Sequence, residues 1–280
     1  MEGSFIMKNF VNFSMGKKRF FSKKPLLLIT CLMVLTATAF AVDQLKIREY
    51  EELLLADAGC NDVEALLTRS KELSGSLSLE NLAPEELLPA VRLGILYHNL
   101  SVNGAEQGHR GYAGKAAAVL TKVYHHPALP EELRPISGAY LGSSLALAGG
   151  EAINPAKKIK YVKDGLKYLD TTVKKHGRDS YFPLVLRANV GIALPSFFRR
   201  EKTAIQDYLA LAGWYHREPE RIPTGVMASV FLHLGDYYKR EKKLAEAVAY
   251  WRKALELDPD GETGARAKEL LELFEGEGKG

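Results

Sequence analysis

The sequence predicts an all-α protein built from helical hairpins stacked into a solenoid. Beyond residue 42, apolar residues recur at helical spacing almost everywhere, and no stretch alternates as a strand would. In addition, the segments "AVRLGILY", "GAYLGSSL", "VLRANVGI" and "FLHLGDYY" align with Gly94, Gly142, Asn189 and Gly235 in equivalent places, 48, 47 and 46 residues apart. A near-constant period of that length marks a repeat array rather than a single bundle.

The elements follow in chain order. Residues 1–41 read as an export signal: "KKRFFSKK" is positive, Pro25 to Ala41 is an apolar run of 17 residues, and Ala39-Phe40-Ala41 suits signal peptidase. Starting at Met15, rather than Met1 or Met7, gives a leader of ordinary length. The alternative is an inner-membrane anchor formed by residues 25–41, at the short limit for a spanning helix. Cys31 follows Thr30 and sits inside the apolar run, which does not suit lipid attachment. Cleavage after Ala41 leaves Cys60 as the single cysteine, so stability must come from packing rather than a disulfide, and Cys60 reads as a small residue at a helix-to-helix turn.

Residues 42–80 are expected to form a helical cap, 81–261 the repeat region, and 262–280 a capping helix and tail. Helices are expected near 43–58, 62–73, 84–101, 112–126, 130–148, 155–176, 180–194, 200–216, 223–240, 244–257 and 262–274, about eleven in all. Asp43 caps the first, and Gly59 and Gly75 stop the first two. Pro84 with Glu85 and Glu86 makes a favourable first turn, because the missing proline donor is harmless there and carboxylates meet the positive end of the helix dipole.

The formal net charge of +4 is concentrated in the leader: the rest of the chain holds 32 basic and 33 acidic residues. That balance argues against a nucleic-acid-binding face. No cofactor motif is present, and the histidines offer no metal site, since His125 and His126 are adjacent and no His-Glu-x-x-His spacing occurs. "GHRGYAGKAA" imitates a phosphate loop, but five residues separate Gly108 from Gly114 and Ala116 stands where Ser or Thr would bind magnesium. Ser143 and Ser144 lack the strand-to-helix elbow of a hydrolase. "YVKDGLKYLDTTVKKHGRD" reads as a solvated lysine-rich helix face, with an acidic partner as the functional alternative. Phe197 and Phe198 beside Arg199 and Arg200 form either a ligand ledge or a cover over the neighbouring repeat.

One segment is more specific. Between residues 228 and 261, Phe231, Leu234, Gly235, Tyr238, Ala247, Trp251, Ala254 and Pro259 stand at intervals that serve packing. Gly235 and Ala247 remove bulk where two helices cross, Tyr238 and Trp251 fill the space beside them, and Pro259 sets the turn. These residues closely resemble the tetratricopeptide repeat. The earlier units are degenerate relatives: Gly165 with Leu169, and Ala204 with Tyr208, supply a small then a large residue in their second helices. The resemblance implies a right-handed helical-hairpin solenoid that binds a protein or an extended peptide in a groove lined by the first helices. On this alignment the groove residues are His98, Tyr140, Ser143, Arg187, His233, Asp236 and Arg240. They lack the lysine and asparagine cluster that holds a terminal carboxylate in some members.

A binding scaffold of the cell envelope, periplasmic or secreted and without catalytic residues, is therefore the expected function. Two alternatives are a small-molecule-binding accessory of an envelope transporter and an exported helical hydrolase or lyase, for which His233 and Asp236 at i, i+3 are the one tidy acid–base pair. The export reading makes a direct prediction: mass spectrometry of the native protein finds a mature terminus at Val42, and recovery of intact leader peptides from a membrane-bound form overturns cleavage.

Overall fold

The structure, a computed structural model, describes residues 52–277, with side chains to residue 274. The export segment and Asp43 lie outside the described residues. Within them the chain is helical throughout, with no strand. Helix α1 is described over residues 52–58; α2 is Val63–Ser76, α3 Leu87–Asn103, α4 Tyr112–Tyr124, α5 Arg134–Glu151 and α6 Pro155–His176. They are followed by α7 Phe182–Ala193, α8 Glu201–Arg217, α9 Thr224–Arg240, α10 Leu244–Leu257 and α11 Glu262–Glu277.

Helix starts follow the local chemistry. Asp62 and Asn154 cap α2 and α6, their side-chain oxygens accepting from Ala65 N and from Ala156 N and Lys157 N. Pro84–Glu86 winds as a 3₁₀ turn before α3 begins at Leu87, and Glu131–Leu133 does the same before α5. One glycine stop is overridden, and one helix runs past its expected end near residue 148. Gly75 lies inside α2, and α5 continues through Gly149 and Gly150 to Glu151. At Gly149 the reason is packing: an added Cβ would sit 2.8 Å from Val162 Cγ2 and 2.9 Å from the Lys158 carbonyl, so the glycine admits α6.

Helices pair as hairpins α3/α4, α5/α6, α7/α8 and α9/α10, with α2 packed on α3 and α11 on α10 and α9. The same crossing recurs in each hairpin. A large residue of the second helix, four positions after a buried small one, packs on a glycine of the first: Leu120 (after Ala116) on Gly94, Leu169 (after Gly165) on Gly142, and Trp251 (after Ala247) on Gly235, with Gly165 itself also against Gly142. A Cβ on Gly94 would lie 2.5 Å from Leu120 Cγ, and one on Gly142 would lie 2.7 Å from Leu169 Cγ and 2.8 Å from the Gly165 carbonyl. In α7/α8 the large residue is Tyr208, and the glycine that meets the second helix is Gly191, not the aligned Asn189: a Cβ on Gly191 would lie 3.0 Å from Ala204 Cβ and 3.3 Å from the Arg200 carbonyl. Asn189, exposed, accepts the Tyr208 hydroxyl on its Oδ1 at 2.7 Å.

Helix α7 joins two core clusters. Leu186 and Val190 enter the one shared by α3 to α6, whereas Leu184 and Ala188 enter the one shared by α8 to α11. At the C-terminal end Trp251 meets Phe274 of α11 at a ring separation of 5.3 Å, and Ala267, Leu270 and Leu271 are buried. The last crossing can be tested by chemical denaturation. Trp251→Ala should cost about 3–5 kcal/mol through the cavity it leaves. Ala247→Leu should cost about 1–3 kcal/mol through overpacking. Variants that unfold like the parent would refute the assignment.

Candidate functional site

The predicted groove residues divide into two groups, and three of the seven are buried inside the stack. His98, Tyr140 and Ser143 are buried between α3 and α5 and do not line an open surface. The physical reason is that α1 and α2 cover the face of α3 that periodicity alone leaves free. Asn99 Nδ2 donates to the carbonyls of Asp57, Ala58 and Cys60 at 2.9, 3.1 and 3.3 Å, closing the C-terminal end of α1. Asp57, fully buried, receives Arg92 Nε at 2.6 Å, with Arg69 at 3.5 Å.

These bonds fix the histidine. Because the Asn99 amide nitrogen faces carbonyls, its Oδ1 accepts from His98 Nδ1 at 3.1 Å. His98 Nε2 is then the acceptor for the Ser143 hydroxyl at 2.8 Å, and the imidazole is neutral with its edge on the Tyr140 ring. Burial lowers the His98 pKa to about 4, against the opposing Asn99 bond, and raises that of the Tyr140 hydroxyl. Ser144, also buried, has a hydroxyl with no hydrogen-bond partner, while Cys60 is a free thiol at the α1–α2 turn.

The second group is an ionic and aromatic lattice. Arg187 makes two parallel bonds to Asp207, at 2.8 and 2.7 Å, and reaches Asp170 at 3.2 Å, where Arg200 also binds. Burial works against the Arg187 charge, but the two carboxylates outweigh it and its pKa rises; burial pushes the Asp207 carboxyl up while Arg187 pulls it down. His233 stacks on Tyr208 at 5.4 Å, and burial lowers its pKa against the pull of Asp236. Asp236 accepts from Trp251 Nε1 at 3.2 Å, and Arg240, exposed, pairs with Glu201 at 2.7 Å. The suggested acid–base pair thus has separate commitments: one ring lies on Tyr208 and the carboxylate serves Trp251.

The other sequence features resolve in the same way. Gly108 and Gly111 take positive φ in the turn entering α4, and Lys115 lies 4.4 Å from the centre of the Tyr112 ring. His125 Nε2 meets the Tyr168 hydroxyl at 2.9 Å, and no group of three or more metal-binding side chains occurs among the described residues. Phe198 packs on the first core cluster while Phe197 is exposed. No described helix is long and apolar enough to cross a membrane.

Open space lies on the other side of the stack, between second helices. Two adjoining cavities of about 610 and 680 Å³ share Thr121 of α4, Leu145 of α5 and Tyr161 of α6. A smaller one of about 370 Å³ lies among α2, Tyr97, Tyr112 and Lys115. Only the lysine content of α6 signalled this region in the sequence.

Residues 228–260 match the tetratricopeptide repeat family, the stretch that contains the α9/α10 crossing. Neither a curated protein nor a solved structure matches the chain. The all-helical hairpin stack and this match fit a tetratricopeptide-repeat-like helical-hairpin solenoid.

The neutral, buried His98 predicts acid sensitivity. Its folded pKa of about 4 lies below the usual value of 6.5, so the unfolded chain binds the proton more readily. Stability is fully present above about pH 6.5 and is lost as pH falls toward 4, by up to about 3 kcal/mol. Denaturant titrations at pH 7 and pH 4.5 should show a smaller loss for His98→Gln than for the parent; equal losses would mean His98 titrates freely.

Proposed function

We propose, from the tetratricopeptide repeat that ends this helical-hairpin stack, that the protein is an exported scaffold or adaptor of the cell envelope that binds a protein or an extended peptide. The observation that carries this is the recurrence of one packing rule through four hairpins, ending in the segment that matches the family. Such a stack presents extended surface at little cost in additional core. Its interior ionisable groups support the same conclusion, because Arg187, Asp207, His233 and Asp236 each hold one helix to another. The described cavities are grooves open to solvent, which suits a peptide segment better than an enclosed small molecule. The positive, apolar and Ala-x-Ala elements of residues 1–41 support export.

The test is capture of the full chain from its native envelope after crosslinking, identification of bound proteins by mass spectrometry, and reconstitution with the purified candidate. A saturable complex is expected, and His233→Ala or Asp236→Ala should leave it intact or weaken it by a modest factor. A parent protein that turns over a substrate, with that activity abolished in His233→Ala, would replace the scaffold with an enzyme.

A further inference from the structure

The groove between α4 and α6 has the composition of a docking site, and we infer that it receives a short acidic peptide segment carrying one or two apolar anchors. This deepens the binding function proposed above by naming the surface and the chemistry of its partner. The floor is apolar, formed by Leu145 and Ala148 of α5 between the walls of the two helices. One wall is Ala117, Ala118, Thr121 and Tyr124 of α4, narrow at its start and aromatic at its end. The other rises from α6, where Tyr161 lines the groove and Tyr168 meets Tyr124 of the opposite wall edge to face at a ring separation of 5.6 Å. At the mouth, Ile153 is 99% exposed, an apolar side chain given wholly to solvent in the turn between α5 and α6.

Charge selects the occupant. Helix α4 carries Lys115 and Lys122 and no acidic residue, and α6 carries seven lysines against Asp164 and Asp170. Asp170 is held by Arg187 and Arg200, away from the groove. Asp164 lines the groove but is neutralised by Lys160 at 2.6 Å, and Glu151 stands at the rim. Lys157 and Lys167 remain on the wall, with Lys163 exposed alongside, and the positive end of the α6 dipole lies at the same mouth. Residues 157–171 of α6 run about 21 Å at 1.5 Å per residue. That length accommodates roughly six residues of extended peptide. A concave, aromatic-walled trough suits a peptide chain better than a lipid surface, which would meet a convex or flat face.

The probe is a phage-displayed library of random twelve-residue peptides, selected on the full chain, with the recovered peptides synthesised and measured by fluorescence anisotropy. Recovered peptides are expected to be rich in Asp and Glu with a Leu, Ile, Phe or Trp anchor, and to bind more weakly as salt rises. K157E/K160E/K167E and Ala118→Trp, which fills the trough from an exposed position without changing its charge, should each weaken binding at least ten-fold. Lys174→Glu/Lys175→Glu, at the far end of α6, should not. Basic recovered peptides, or binding that Ala118→Trp leaves unchanged, would overturn the inference. So would binding to phosphatidylglycerol vesicles without enrichment of acidic peptides, which assigns the lysines to a membrane. A crosslinked native partner that Ala118→Trp still holds at full affinity would refute this groove while leaving the scaffold function standing.

Discussion

Everything else in this structure depends on the distance at which paired helices cross. A glycine on the first helix and a small residue on the second let the backbones approach, and the large side chain four residues later closes the gap beside them. The tolerance is narrow: at Gly142 and Gly165 an added Cβ meets backbone on both sides, so neither helix can retreat without losing Leu169 from the core. In α7/α8 the rule holds at a shifted position, with Gly191 against Ala204, while the exposed Asn189 accepts the Tyr208 hydroxyl beside it.

Closely crossed hairpins leave the first helices surrounded, and this determines what their polar residues do. Helix α5 is enclosed by α3, α4, α6 and α7, so Ser143 has only His98 to meet. Helix α3 is enclosed in turn by α1 and α2, whose end is held by Asn99 and whose buried Asp57 is held by Arg92. Apart from the Ser144 hydroxyl, the polar groups named in these positions are satisfied within the protein. They become ties between successive layers, and the chain from Ser143 through His98 and Asn99 to the end of α1 links three helices.

The fold was legible in the sequence because its main signals are local. Pro84 and Pro259 mark boundaries through their own backbone chemistry, and the Gly94, Gly142 and Gly235 period follows from a contact repeated in three hairpins, with Gly191 rather than Asn189 making it in α7/α8. Helix α5 runs past its expected end near residue 148 because glycine also serves close approach, and at Gly149 only the position of Val162 tells that use from a helix stop. The site was much less legible. Helical periodicity identifies one covered face, but His98 and Tyr140 are covered by elements from a second direction. The trough between α4 and α6 has no sequence signature of its own, since it is made by residues more than thirty positions apart and by the spacing that α5 imposes.

That spacing gives the two sides of the stack different uses. Where a first helix packs against its neighbours, side chains interlock and charges are neutralised in place, as Arg187 of α7 is by Asp207 of α8 and Asp170 of α6. The second helices α4 and α6 flank the buried α5 and are held apart by its width, meeting through Tyr124 and Tyr168, whose rings lie 5.6 Å apart. The space between α4 and α6 is thus a consequence of close crossing elsewhere rather than a defect in packing. A surface of this origin is rigid, because moving either wall would disturb Leu120 against Gly94 or Leu169 against Gly142. Rigidity reduces the ordering cost of binding, and the lysines of α6 stand on a wall already fixed by the core.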